Sequence, residues 1–504
     1  MRINIKSILT VGLAAWLCAC TDLDERLYDK VSMDEYGQTD SEIATIVGGA
    51  YASLRGYDTP EGLACWVGSG FVFFLDETVS DEACIPPRGP DWYDGGVYQD
   101  IQRHIFKPDN KLFESYWKYC YNGITRVNSI IYQVDKSGLT DAAKDNVKAE
   151  LRGLRAYYYS LLLDRFGAVP ISTNFEDEGL PAKSSREDVF KFVETELLDV
   201  VDLLNTNPIY GRFTQAVAYG VLARIYLNAE VYIKTARWED CIAACDKVRG
   251  YMLEPEYSTN FARDNEKSQE IMLAATFDNA MGTTGNYLAS MTYNNDQKYA
   301  FDPAGIWQWA ANGICAQPGL YSSFEETDVR RKSLLIGEQI NLSTGSVIIT
   351  DKGEQLIYTE EVRSIDDAGL VEGARLHKYA VHADDKWERD YDWVLMRYAE
   401  IIMMNAEANY RIGNETVALS LVNQLRARAG LDALASLSLD ALDQEWKHEF
   451  VFEGLRRTVN IRFGTFFKPW WEKETETEQY KKVFPIPANV LTLNPNLVQN
   501  PDYQ

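Results

Sequence analysis

The chain has 504 residues, with 75 Asp and Glu against 50 Lys and Arg, and its formal net charge is −25. This balance argues against nucleic acid as a partner, because a binder must neutralise phosphates with clustered Lys and Arg. At about 150 residues per domain the length would give roughly three domains, unless repeats extend a single one. Neutral ligands are compatible with this composition.

The first residues have the pattern of a secretion signal. Arg2 and Lys6 precede an apolar run over 8–19, and Ala19 stands directly before Cys20. The run is shorter than the ~20 residues that a helix needs to span a bilayer. We therefore predict a signal peptide over 1–19, lipidation of Cys20 and a tether over 20–40. The alternative is an ordinary signal peptide that happens to end beside a cysteine.

Six cysteines follow this predicted anchor, and none belongs to a CxxC pair. Cys241 and Cys245 lie four residues apart on a predicted helix, a spacing that can ligate a metal. No histidine lies near them in the sequence, so we interpret them as small core residues. We predict no metal and no cofactor.

Helical periodicity is strong from Asp141 onward. Apolar residues recur every three or four positions as far as Arg165, and Gly167 with Pro170 ends the pattern. This predicts one long helix. A second helix is predicted after Ser184 and Ser185, with Glu187 and Asp188 as capping-box acids and an apolar face made by Val189, Val193, Leu197, Val200 and Leu204.

The next helix pair carries a repeat signature. Its first helix fits the W-x2-L-G-x2-Y spacing of a tetratricopeptide repeat with Tyr219, Leu222, Ala223 and Tyr226. Small residues are needed where two helices approach to ~9 Å. The second helix matches with Trp238, Cys241, Cys245 and Val248. A later pair is predicted from Val394 to Ile412 and from Ala418 to Leu425, and earlier helices at 43–54 and 112–134.

Two stretches, 57–110 and 251–390, are rich in Gly, Pro, Asn and Asp and are not predicted as helix. We interpret them as insertions into helical repeats at about 41–250 and 391–460. The predicted organisation is a single domain over 41–504 that ends in an extended tail at about 465–504. Long loops on a rigid frame are where binding commonly occurs.

An ordered set of motifs runs along the chain: 150–159 (ELRGLRAYYY), 166–170 (FGAVP), 395–400 (LMRYAE), 423–430 (NQLRARAG), 449–457 (EFVFEGLRR), 462–464 (RFG) and 484–487 (FPIP). With them the chain resembles the SusD/RagB family of outer-membrane nutrient-binding lipoproteins from Cys20 to its last residue. We interpret their charged residues as helix-to-helix ion pairs and cap contacts, namely Arg426, Arg428, Glu449, Glu453, Arg456 and Arg457.

The resemblance implies an all-α scaffold of four degenerate tetratricopeptide-like helix pairs, with the glycan site on long irregular insertions. It also implies a lid-like protein that binds an oligosaccharide and delivers it to a SusC-type TonB-dependent transporter in the outer membrane. The acidic residues after Cys20 resemble a surface-export signal of such lipoproteins, so an outward-facing position is expected.

Sugar recognition needs aromatic rings for pyranose faces and planar polar side chains for hydroxyls. The loop with Asp91, Trp92, Tyr93 and Tyr98 supplies both, and it corresponds in chain order to a glycan-contacting loop of SusD-like proteins. The second insertion supplies Trp307, Trp309 and Asn312. The alternative is that these aromatic residues pack beneath long loops.

Two rival functions are a surface glycoside hydrolase and a peptide-binding protein of the same family. A hydrolase needs two carboxyl groups about 5–9 Å apart. Asp76 with Glu77 and Asp81 with Glu82 are acidic pairs, but we interpret them as capping or solvated loop residues. Without a catalytic motif, we expect the chain not to be an enzyme.

Overall fold

The computed structural model describes residues 39–278, 285–300, 310–385 and 389–503. The predicted signal peptide, Cys20 and most of the predicted tether lie outside these residues. Trp307 and Trp309 of the predicted glycan site also lie outside them.

The helices of the described residues, in chain order, are α1 (Asp40–Ala52), α2 (Phe71–Thr78), α3 (Val97–Gln102), α4 (Lys111–Lys136), α5 (Asp141–Arg165), α6 (Arg186–Val200), α7 (Gln215–Leu227), α8 (Ala229–Ile233), α9 (Trp238–Cys245), α10 (Leu288–Thr292), α11 (Leu320–Ser323), α12 (Tyr398–Arg411), α13 (Glu415–Arg428), α14 (Leu439–Glu449), α15 (Arg456–Phe463) and α16 (Ala488–Leu493). None of them is both long and apolar enough to cross a membrane.

The strands are short and form two-stranded antiparallel ladders. In chain order they are β1 (Gly56–Asp58), β2 (Ala64–Trp66), β3 (Ala83–Cys84), β4 (Ile271–Ala275), β5 (Cys315–Ala316), β6 (Leu334–Leu335), β7 (Gly337–Glu338), β8 (Ile357–Tyr358), β9 (Arg375–Leu376) and β10 (Trp393–Arg397). The pairs are β1 with β2, β3 with β5, β4 with β10, β6 with β9 and β7 with β8.

Four packed helix pairs form the scaffold: α1 with α4, α5 with α6, α7 with α9, and α12 with α13. Successive pairs also touch, through α4 against α5 and α9 against α12. The prediction of an all-α, tetratricopeptide-like scaffold is confirmed. One apolar core runs through all four pairs and into both insertions.

Local capping explains why the predicted starts of α5 and α6 are accurate, although α6 ends at Val200, before the predicted Leu204. Thr140 accepts a hydrogen bond from the Ala143 amide and begins α5, and Ser185 accepts one from the Asp188 amide (3.1 Å) and begins α6. Gly167, at φ 73°, then turns the chain away after α5.

Close helix contacts require glycine at two positions. A Cβ atom on Gly123 of α4 would lie 2.2 Å from the Tyr158 ring of α5. A Cβ atom on Gly220 of α7 would lie 2.4 Å from the sulfur of Met396. The scaffold is therefore packed at the distance that small residues allow.

The prediction that Val394 belongs to a helical face is wrong. Val394 lies in β10 opposite Ala274 of β4, and the helix begins only at Tyr398. Both strands are almost wholly buried, so the pairing satisfies backbone groups that would otherwise be buried without partners. A pairing partner more than 100 residues away overrides the helical spacing.

The prediction that the insertions lack helices is wrong: α3, α10 and α11 are short helices within them, and the first insertion also contains α2, with the sequence FVFFLDET. Seven of its eight residues are buried, so it has no polar face and gives no amphipathic signal. Shortly after α2, strand β3 pairs with β5. Ala83 lies opposite Ala316, and this pairing joins the two insertions.

The interpretation of the acidic pairs as solvated loop residues is wrong. Asp76 is buried and binds Arg165 (2.9 Å), while Asp81 binds Arg456 (2.7 Å). Glu77 and Glu82 are also buried; each accepts one backbone amide, from Gly454 and Phe452, and their two carboxyl groups are close enough to share a hydrogen bond. These contacts are structural, and Asp76 also lines a cavity together with Arg165 and Tyr116.

Burial raises the pKa of Glu82 to about 7, and burial together with the charge of Glu82 raises the pKa of Glu77 well above its ordinary value. A raised carboxyl pKa in the folded state adds stability at low pH, and this stability is lost as the pH rises through about 7.

We therefore expect Glu82→Gln to match the wild type near pH 4.5 and to be more stable than it near pH 8, by on the order of 1–3 kcal/mol. Urea unfolding of both proteins across this pH range measures the difference. Glu178→Gln, at an exposed position, is the matched control and should follow the wild type at every pH. A constant offset between Glu82→Gln and the wild type would contradict the assignment.

Candidate functional site

The loop that precedes α3 has an unusual backbone. Trp92 (φ 66°) and Asp94 (φ 45°) adopt left-handed conformations, as do Gly95 and Gly96. For a residue with a side chain this conformation costs roughly 1–2 kcal/mol, and it persists only where the surroundings fix it. Strain of this kind is often found at binding sites.

The Trp92 side chain supplies the contacts that fix this loop. Its indole Nε1 donates a hydrogen bond to the Ala311 carbonyl (2.6 Å), and its ring meets the Phe74 ring edge-to-face at 5.8 Å. Gly313 lies so close that an added Cβ would stand 2.3 Å from the indole. Trp92 is half-buried, and its side chain joins the two insertions.

Beside this anchor three polar or aromatic side chains point outward. The Tyr93 ring is 61% exposed, and both Asp91 and Asp94 are exposed. Lys111, at the start of α4, lies with its Nζ 3.2 Å from Asp94 Oδ2. An exposed ring flanked by carboxylates can stack on a pyranose and accept hydrogen bonds from its hydroxyls.

Tyr98 does not take the exposed position that the sequence suggested. Its side chain is 1% exposed, its ring packs against Phe74 and Trp92, and its hydroxyl donates to Asp94 Oδ2 (3.1 Å). Burial and the nearby carboxylate raise the pKa of Tyr98 well above its ordinary value. Tyr98 supports the loop from below and cannot offer its ring to a ligand here.

Asn312 is also buried, contrary to the expectation of a direct ligand contact. Its amide Nδ2 donates to the Leu370 carbonyl (2.9 Å), and its Oδ1 accepts from Arg375 Nη2 (2.9 Å). With φ 52° its backbone is left-handed directly after Ala311, the residue that binds Trp92. Its role is to shape the segment that Trp92 contacts.

Two buried arginines complete this support and were not foreseen from the sequence. Arg88 donates to the Gly369 and Glu372 carbonyls, and Arg375 donates to the Glu372 and Gly373 carbonyls (both 2.7 Å). The partners of Arg88 are backbone carbonyls hundreds of residues away, and those of Arg375 lie in the irregular turn just before it. No spacing in the sequence therefore reveals these two arginines. They fix segment 369–373 against the Trp92 loop.

Of the predicted second cluster, Asn312 lies within the described residues, where it is beside the Trp92 loop. Ligand contacts by Trp307 and Trp309 remain predictions. Among the described residues no group of three or more His, Cys, Asp or Glu side chains is arranged to hold a metal ion. Cys241 and Cys245 are buried core residues, as predicted.

Removal of the aromatic ring should change the free energy of unfolding very differently at Tyr93 and at Tyr98. We expect Tyr98→Ala to lower the free energy of unfolding by about 3–5 kcal/mol, because a buried aromatic leaves a cavity. Tyr93→Ala should change it by less than about 0.5 kcal/mol, as at other exposed positions. Denaturant unfolding of both variants measures this, and a similar loss in both would show that the two rings are not placed as described.

Comparison with known proteins agrees with this architecture. The chain matches a family model described as the SusD family over 269–503 and one described as starch-binding associating with outer membrane over 91–227. It is similar to the starch-binding protein SusD of Bacteroides thetaiotaomicron, at 28% identity over 464 residues that cover 82% of each chain. SusD-like protein P2 of Formosa agariphila is 23% identical, and the match covers 98% of this chain and 95% of that protein.

Solved structures share the fold. A laminarin binding SusD-like protein superposes with a TM-score of 0.74 at 21% identity, covering 92% of this chain and 100% of the other. Surface glycan-binding protein A from Bacteroides thetaiotaomicron, in complex with laminarihexaose, gives a TM-score of 0.73 at 21% identity, covering 92% and 99%. The two family models together match most of the chain, so the chain is similar to the SusD family along most of its length, and the solved structures share its fold.

Proposed function

We propose that this protein is a cell-surface lipoprotein that captures an oligosaccharide and delivers it to a SusC-type TonB-dependent transporter of the outer membrane. Relatives and structural neighbours named as starch, laminarin or surface glycan binders support this proposal. The family model described as associating with the outer membrane supports the location.

The observation that carries the proposal is the exposed Tyr93 ring beside Asp91 and Asp94, on a loop that Trp92 locks in place. Sugar rings present C–H faces to aromatic rings, while carboxylates accept hydrogen bonds from pairs of hydroxyls. Because the loop is braced before a ligand arrives, binding orders few side chains, which limits its entropic cost.

The charge of this surface favours a neutral glycan. Asp91 and Asp94 lie beside Tyr93, and Lys111 is already paired with Asp94. A ligand with carboxylate or sulfate groups would meet like charges here, in a chain whose formal net charge is −25. Uncharged oligosaccharides avoid this repulsion.

Glycan binding is tested by isothermal titration of the protein with neutral oligosaccharides, including fragments of starch and laminarin, and with a uronic-acid oligosaccharide. For the glycan that binds, we expect Tyr93→Ala and Trp92→Ala each to weaken binding by at least about tenfold, equivalent to ~1.4 kcal/mol. The same titrations with Trp307→Ala and Trp309→Ala test the predicted second cluster.

Phe175→Ala is the matched control, because Phe175 is an exposed ring that packs on Tyr132 of α4 and not on the Trp92 loop. It should bind as the wild type does. Release of shorter sugars during titration would support the hydrolase instead. If no glycan binds and the protein co-purifies with its transporter, the peptide-binding alternative is supported.

The membrane anchor is tested separately with Cys20→Ala. We expect this variant to lose incorporation of labelled fatty acid and to leave the outer-membrane fraction, while its glycan affinity is unchanged. Anchoring beside the transporter would raise the effective concentration of captured glycan at its entrance. Retention of the variant in the membrane with undiminished labelling would disprove lipidation at Cys20.

A further inference from the structure

Two cysteines from different insertions meet where β3 pairs with β5. Cys84 and Cys315 are directly opposite in this antiparallel pair, and their sulfur atoms are 3.7 Å apart. Both side chains are fully buried, and all six cysteines of the described residues are free thiols. Residues opposite one another in such a pair have Cα atoms about 4.5–5.5 Å apart, within the ~4.4–6.8 Å that disulfides span.

The surroundings of Cys315 are electropositive. Arg88 Nη2 lies 3.2 Å from its sulfur, and Arg375 is also close enough to stabilise a thiolate. Within the described part of the chain neither guanidinium forms an ion pair with a carboxylate. Two buried positive charges without carboxylates favour a nearby negative charge, and the sulfur of Cys315 is a group in reach of both that can carry one.

The charge state of the two thiols differs. The hydrogen bond with Cys84, reinforced by the charges of Arg88 and Arg375, lowers the pKa of Cys315 to about 6 even though burial opposes this shift. Burial raises the pKa of Cys84 well above its ordinary value. A thiolate beside a thiol is the arrangement from which disulfide exchange starts.

We propose that Cys84 and Cys315 are a redox pair that forms a disulfide when the chain folds in the presence of a disulfide oxidant. The thiolate of Cys315 attacks a sulfur of a small-molecule or protein disulfide and releases one thiolate. Cys84 then gives its proton to the released thiolate, attacks the sulfur of Cys315 and releases a second thiolate, which takes a proton from solvent. Starting from one thiolate and one thiol, the two cysteines lose two electrons and one proton, and the oxidant disulfide becomes two thiols.

The cross-link would connect the two insertions close to the candidate site. β3 precedes the Trp92 loop, and β5 begins after Ile314, the residue that follows Gly313, against which the Trp92 ring lies. A disulfide here would covalently reinforce the contact that Trp92 makes by hydrogen bonding and packing. Because Arg88 and Arg375 stabilise the thiolate of the reduced form, the disulfide should be more easily reduced than one in neutral surroundings.

The test uses the full-length protein, unfolded with reductant and refolded with oxidised glutathione. After acid quenching, free thiols are alkylated under denaturing conditions and the unreduced protein is digested for mass spectrometry. We expect a linked peptide pair containing Cys84 and Cys315, lighter by two hydrogens than the sum of its parts, that separates after dithiothreitol treatment.

Cys241 and Cys245 are the internal control. They are buried and four residues apart on α9, where Cβ atoms lie about 5–6 Å apart, beyond the ~4.5 Å that a disulfide allows. They should stay alkylated under the same conditions. A second readout is the melting temperature, which should rise on oxidation of the wild type and not of Cys84→Ser. Complete alkylation of Cys84 and Cys315 after refolding with excess oxidised glutathione would overturn the proposal, as would equal linkage of Cys241 and Cys245.

Discussion

The buried carboxylate of Glu449 is the contact on which the arrangement of repeats and insertions depends. It binds Arg397 (2.6 Å), Arg330 (3.0 Å) and Arg428. Arg397 also binds Glu270, directly before β4, at 2.8 Å. Although burial opposes it, these arginines hold the pKa of Glu449 well below its ordinary range. Removing one member of such a buried network typically costs about 3–5 kcal/mol, because the remaining charge is left without a partner.

This network explains how an irregular insertion can carry a precise surface. Arg330 belongs to the second insertion, Arg428 ends α13 and Glu449 ends α14, so their shared charges hold the insertion to the last helix pair. The same insertion then contacts Trp92 through Ala311. The left-handed backbone of the Trp92 loop is maintained because the parts of both insertions that hold this loop pack into one continuous core.

The sequence was most informative where structure depends on neighbours in the chain. Periodic apolar positions and caps at Thr140 and Ser185 located α5 and α6, since both signals act within one turn of the helix. The strand at Val394 and the burial of Tyr98 and Asn312 depend on partners that only the fold brings together. For the candidate site, the position of the loop in the first insertion could be expected, but which of its aromatic side chains faces solvent could not.

In this loop, the residues that hold the backbone in place are not the ones proposed to contact the glycan. This separation bears on how related chains select different glycans. Stacking on a ring such as Tyr93 recognises features that most pyranoses share, so it confers affinity more than selectivity. Selectivity must come from the angle at which the loop presents the ring and from the segment opposite. Because Gly313 leaves no room for a side chain beside Trp92, even an alanine there would shift the loop without touching the ligand. Specificity can therefore change through residues that hold the surface while the helical scaffold stays the same.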